Sequence, residues 1–191
     1  VFELAFPLTV GVLPQRRYSR ECARAAATKG FQVILHLPLE AADEGKNLNE
    51  TGMIYTMMSR QEVAEEIYLD LETVPFAVGM NNHKGSKAAK DKKIVAWVLR
   101  EVGRRGMFFI DSKTARGSLI SKTAQQLKIA CLDNQIFLDS VREKKKIESQ
   151  LSELVKIARR RGAAVGIGHI TSKLTLEVLK DKVAQYHDQG I

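Results

Sequence analysis

Residues 74–86 read VPFAVGMNNHKGS. The apolar run Phe76–Met80 has the length and composition of a buried strand, and it gives way at once to Asn81, Asn82, His83 and Lys84 before Gly85 breaks the chain. A buried strand that ends on four polar side chains is either a polar turn or the rim of a binding site. In parallel α/β folds the ligand sits at the C-terminal ends of the strands. The choice therefore depends on what the neighbouring strands carry at the same place.

Working outward, the same arrangement recurs. Leu8–Leu13 (LTVGVL) reads as a strand stopped by Pro14, and Phe31–Leu37 (FQVILHL) as one stopped by Pro38. Met107–Ile110 (MFFI), Ile129–Leu132, the run Ile136–Leu138 and Ala163–Ile167 complete the strands. Helical patterns lie between them. Tyr18–Lys29 is closed by Gly30, and a Ser59/Glu62 capping box opens a helix through Leu71. Asp91–Arg105 places Val95, Val98, Leu99 and Val102 on one face. Ser118–Leu127, Glu143–Arg161 and Leu174–His187 follow, and residues 41–58 read as a polar loop. Strands alternating with helices imply parallel strands joined by helical crossovers. Near-continuous apolar strands imply a sheet covered on both faces, or a barrel. With no repeat or linker visible, one domain over residues 1–191 is the simplest organisation.

The bulk composition narrows the classes. The 191 residues are 45% hydrophobic and 27% charged, which supports a folded core and argues against disorder. The net charge of +8 suggests attraction to polyanions, yet the basic residues are scattered. Arg142–Lys146 fits a solvated helix start, and Arg159–Arg161 a helix end where cations suit the dipole. No nucleic-acid-binding motif appears, so a nucleic-acid partner is not expected. Cys22 and Cys131 form no CxxC pattern and read as two buried free thiols. No run approaches the ~18 apolar residues of a membrane span, so stable membrane insertion is not expected either.

The strand ends carry the chemistry. His36 and Glu40 follow the second strand, and Asn81, Asn82 and His83 the third. Asp111 and Ser112 follow the fourth, Asp139 ends the run 136–138, and His169 follows the last strand. A lone histidine at a strand end is ordinarily a hydrogen-bonded structural residue, but three histidines (His36, His83, His169) and two aspartates (Asp111, Asp139) on one rim favour a site. Two histidines and a carboxylate with an open position recur in hydrolytic zinc or iron centres. A third histidine titrates near neutrality and suits a general acid or base, with an aspartate behind it to fix its tautomer. Asn81 and Asn82 would orient substrate or donate to an oxyanion. Lys84-Gly85-Ser86 lacks the spacing of a phosphate loop, and Ser112 lacks a nucleophile elbow.

The segments VILHLPLE (33–40), VPFAVGMNNHKGS (74–86), GMFFIDSKT (106–114), NQIFLD (134–139) and VGIGH (165–169) occur in order. Together they resemble the divergent polysaccharide deacetylase family over roughly residues 4–185, with NQIFLD closest to Gram-positive versions. The resemblance implies an irregular parallel (β/α) barrel of about seven strands, with the first and last strand lacking from this stretch. It also implies a divalent metal, commonly zinc, and hydrolysis of N-acetyl groups on a polysaccharide, hence an extracytoplasmic location. Carried over by position, His36 and His83 match metal ligands, while Asp111 and His169 match catalytic positions, His169 as the acid. Asn81, Asn82, Glu40 and Ser112 match substrate-site positions. The family's opening Asp-Asp pair would lie before Phe2, and Lys84 stands where the family has methionine. That cation would repel a metal or neutralise an anionic substrate. The competing reading is a non-catalytic carbohydrate-binding or scaffold protein, against which the 6% aromatic content argues mildly.

Overall fold

A computed structural model describes residues 6–187. The chain forms two compact units that divide between Asp133 and Asn134. One comprises Pro7–Asp133, and the other the described residues of Val1–Phe6 and Asn134–Ile191.

The first unit contains β1 (Thr9–Val12), α1 (Ser19–Thr28), β2 (Gln32–Leu39), α2 (Arg60–Thr73) and β3 (Ala77–Lys84). It continues with α3 (Lys92–Arg104), β4 (Phe108–Asp111), α4 (Ile120–Leu127) and the beginning of β5 (Cys131–Phe137). β1 pairs with β2, β2 with β3, β3 with β4 and β4 with β5, all parallel. In the second unit the end of β5 pairs in parallel with β6 (Val165–Ile167), accompanied by α5 (Lys144–Arg161) and α6 (Lys173–His187). The fold is therefore α/β, with six parallel strands in chain order among the described residues. That is the strand order of a (β/α) barrel.

Three boundaries differ from the sequence reading, each for a physical reason. β2 does not stop at Pro38 but runs through it to Leu39. Proline has no N–H to offer the ladder, but its carbonyl accepts from Ile54 N–H at 2.9 Å, so the position stays useful. β3 extends to Lys84, so Asn81, Asn82 and His83 belong to the strand and do not follow it. Parallel pairing with β2 carries it on, with His36 opposite Asn81 and Pro38 opposite His83. The two runs 129–132 and 136–138 are parts of one strand with a register shift between Asn134 and Ile136. A bulge there breaks the apolar alternation that marks a strand in sequence.

The first unit's core fits a sheet covered on both faces: Val33, Leu35 and Leu37 of β2 are buried, and so is the intervening Ile34. They pack in a core with Met80, Phe109, Ile67, Ile94 and Leu99. Residues 41–58 are less polar in effect than they look, because Met53 and Ile54 are buried and Ile54 bridges Leu39. The second unit packs Leu138 against Ile147, Leu151 and Val178. The capping box at Ser59 and Glu62 forms as expected. The cysteines differ from expectation: both are free, but Cys22 is exposed and Cys131 only half-buried. Cys22 sits in alanine-rich α1, whose buried face is made by Ser19, Ala23 and Ala26. No described helix is long and apolar enough to cross a membrane.

Candidate functional site

In the first unit the parallel register brings the middle of β2 level with the polar half of β3. His36 Nδ1 lies 2.9 Å from Asn81 Oδ1. The Asn81 amide nitrogen donates to Ser112 Oγ at 3.1 Å, and its oxygen faces the imidazole. An acceptor at that point favours a proton on Nδ1, and the opposite ring nitrogen is Nε2. That nitrogen faces His83 Nδ1 at 3.1 Å, with the two rings edge to face.

Glu50 stands on the far side of His83, its Oε1 3.7 Å from Nε2. Lys84 Nζ bonds the same oxygen at 2.6 Å, and Arg16 Nη2 bonds Oε2 at 2.5 Å. Burial raises the Glu50 pKa, but the Lys84 ammonium, His83 and Arg16 outweigh it and hold the carboxyl below its usual range. Lys84 and Gly85 turn the chain in the left-handed region, with φ of 57° and 93°. A side chain at Gly85 would meet Leu39 Cβ at 2.9 Å, so glycine is required twice over.

The other expected residues of this unit have protein partners of their own. Asn82 is fully buried; its amide donates to Lys84 O and Thr114 Oγ1, and its oxygen accepts from Ser112 N at 2.8 Å. It clips the end of β3 to the residues after β4. Glu40 accepts from the Thr56 N–H and hydroxyl at 2.6 Å each, and from Lys87 Nζ at 2.6 Å. Burial raises its pKa, and those three donors together bring it below the ordinary range. Asp111 turns toward the start of α4, accepting from Ser118 Oγ at 2.8 Å, Lys113 N at 2.9 Å and Lys113 Nζ at 3.1 Å. Lys113 also reaches Asp133 at 3.0 Å. Burial lowers the Lys113 pKa, but Asp133 and Asp111 more than reverse that. Of adjacent residues, Ser112 bonds Asn81 beside His36, while Asp111 is spent on this network.

The second unit carries a different histidine. Asp139 is buried, and its Oδ1 lies 2.8 Å from His169 Nδ1. Its Oδ2 accepts from His169 N at 2.7 Å and Thr175 Oγ1 at 2.9 Å. Burial raises the Asp139 pKa, but these donors hold it below the usual carboxylate range. The His169 side chain is 56% exposed. A Cβ at Gly168 would lie 2.9 Å from Thr175 Cγ2, so glycine leaves room for Thr175, whose hydroxyl bonds Asp139.

Sequence reasoning missed Glu50, Thr175 and the Lys113–Asp133 pair. Glu50 sits in what reads as a polar loop, where one carboxylate among many gives no signal. The Asp-Asp pair implied by the resemblance lies outside the described residues. Among those residues, no cluster of three or more His, Cys, Asp or Glu is placed to hold a metal ion.

A family model described as "Divergent polysaccharide deacetylase" matches residues 1–191. An uncharacterized protein of Haemophilus influenzae is 29% identical over 169 residues, covering 88% of this chain and 60% of that protein. The uncharacterized protein YibQ of Escherichia coli K12 is 32% identical over 182 residues, covering 94% of this chain and 56% of YibQ. The chain thus spans less than two thirds of the length of either relative. A crystal structure of an uncharacterized Agrobacterium tumefaciens protein, ATU2773, shares the fold with a TM-score of 0.88 at 18% identity, covering 95% of this chain and 73% of that one. The chain belongs to the divergent polysaccharide deacetylase family.

Proposed function

As a member of that family the chain is, we propose, a metal-dependent hydrolase that removes N-acetyl groups from a polysaccharide outside the cytoplasm. His36 and His83 would hold a divalent cation, zinc being well suited to imidazole donors. The observation that carries this reading is the 3.1 Å approach of His36 Nε2 to His83 Nδ1. Two nitrogens on one zinc, at ~2.1 Å each and near-tetrahedral angles, lie ~3.4 Å apart. The pair is therefore close to the spacing a cation requires. Asn81 behind His36 and Glu50 behind His83 are the kind of outer partners that orient imidazole ligands. Two imidazoles are half of a four-coordinate set.

When bound, the cation supplies Lewis acidity toward an amide carbonyl. The chain's own contribution to proton transfer is His169. With Nδ1–H bonded to Asp139, its Nε2 takes up or gives a proton at the exposed edge, the role of a general acid toward a departing amine. Ser112 acts through Asn81, holding the amide that orients His36. Glu40, Asn82 and Asp111 support the strand ends.

That saturation of three expected site residues favours a second reading, a carbohydrate-binding or scaffold protein on the same fold. Acetate release separates the two. The first predicts zinc-dependent release of acetate from N-acetylated glycan oligomers, abolished by a chelator and restored by zinc. Glycan binding with no acetate released under any metal would leave the scaffold reading.

A further inference from the structure

We propose that the groove between α3 and α4 binds a polysaccharide strand that carries carboxylates, so that the glycan this protein meets is an acidic one. The choice of a glycan rests on the polysaccharide reading above. The groove and its charge are independent of that reading.

The excess positive charge is not scattered once its counter-charges are placed. Between Lys87 and Leu132 stand eleven lysines and arginines against three carboxylates, Asp91, Glu101 and Asp111. That surplus equals the net charge of the whole chain, +8, so the rest of the sequence is balanced. All three carboxylates are occupied within the protein. Asp91 caps α3 through Lys93 N and Ile94 N, Glu101 bonds Arg104 and Arg105, and Asp111 bonds Ser118 and Lys113.

The uncompensated cations gather in one place. α3 and α4 pack together, and Leu119 N at the start of α4 donates to Ala89 O just before α3 at 2.8 Å. A groove of about 330 Å³ lies between them, with Lys92 and Arg100 on one side, Lys122 on the other and no carboxylate in its lining. All three cations are exposed, and none bonds a carboxylate among the described residues. Lys92 and Arg100 are eight residues apart, about 12 Å along the helix axis. That spacing fits charges repeated along a polymer better than one compact phosphate. The lining also has no glycine loop whose N–H groups would cradle a phosphate.

The rest of the groove suits sugar. Ala96 sits one turn from each α3 cation and, with half-buried Leu119 and Leu127, forms an apolar floor for ring faces. Thr123 and Gln126 offer a hydroxyl and an amide to sugar hydroxyls. No aromatic side chain lines the groove, so nucleic-acid bases have no stacking platform there. The groove between α2 and α3 is the contrast. Arg104 and Arg105 line it beside Glu65 and Glu101, and Glu101 neutralises them.

The test is calorimetric binding of a galacturonate oligomer to the metal-free protein, with its neutral methyl ester, single-stranded DNA and phosphatidylglycerol vesicles as comparators. The wild type should bind the acid form and not the ester. The triple variant Lys92→Gln/Arg100→Gln/Lys122→Gln should lose about tenfold or more in affinity. A charge-matched control, Lys29→Gln/Lys145→Gln/Lys146→Gln, removes three exposed cations elsewhere and should bind as the wild type does. Equal losses in the two triple variants, or no binding by the wild type, would overturn the proposal. So would DNA or vesicles that bind more tightly than the oligomer and are lost in the groove variant. Should the groove variant not fold, Arg100→Gln alone should cost about threefold, and unchanged affinity there overturns the proposal. Oligomer binding without acetate release from any glycan would sink the hydrolase reading and keep the groove. Acetate release without oligomer binding would do the reverse.

Discussion

The two histidine clusters use one side chain in opposite ways. At His36 and His83 the outer partners are a neutral amide and a carboxylate already claimed by two cations, and the inner nitrogens face each other. At His169 the outer partner is a buried aspartate that no lysine or arginine among the described residues bonds, and the histidine side chain is largely exposed. The first arrangement brings two ring nitrogens within 3.1 Å of each other and suits ligands. The second fixes the imidazole through Nδ1 to Asp139 and suits proton transfer. The chemical environment separates roles that the residue type leaves equal.

Replacing either member of the first pair is the most drastic way to probe that division. His36→Ala or His83→Ala should lose zinc binding and acetate release together, as followed by calorimetry and turnover. Asp139→Asn should spare zinc binding and cost about 10²–10⁴-fold in kcat, because His169 loses the acceptor that orders its tautomer. A parallel fall in metal affinity would break the comparison. Asp139 also carries a stability signature. Its folded pKa lies below the ordinary value, so its stabilisation is present above about pH 4 and lost as pH falls further. The melting temperatures of wild type and Asp139→Asn should therefore converge in acid.

Asn81→Ala comes next, with an expected loss of about 10–100-fold in zinc affinity, because it removes the acceptor that fixes the His36 proton. The smallest functional effect belongs to Asp70, which is remote from both clusters in its hydrogen bonds. Its side chain is buried, and one oxygen accepts from Gln15 at 2.8 Å. Burial and neighbouring Glu66 push its pKa up to about 8 despite the Gln15 bond. The folded state thus holds this proton more tightly than the unfolded chain does. That stabilisation is complete below about pH 4 and drains away as pH rises to about 8. Asp70→Asn should flatten this fall in a series of melting curves and leave zinc affinity and kcat as in wild type.

Much of this was legible in the sequence, for identifiable reasons. Buried parallel strands write themselves as apolar runs, and their C-terminal ends are where polar residues gather, so His36, Asn81, His83 and His169 stood out. Sidedness was not legible. Asp111 and Ser112 are neighbours, and only the sheet shows that Ser112 bonds Asn81 while Asp111 bonds Ser118. Nor was Glu50, because it meets His83 across 33 residues with no periodic pattern linking them. The unity of β5 was hidden by polar Asp133, Asn134 and Gln135 at its bulge.

The central claim is that His36 and His83 are ligands and His169 is not. It is tested most directly by counting zinc per chain by mass spectrometry in the wild type, His36→Ala, His83→Ala and His169→Ala. The account predicts about one zinc in the wild type and His169→Ala, and none in the other two. Zinc retained in His36→Ala and His83→Ala, or absent from all four folded proteins, would contradict it.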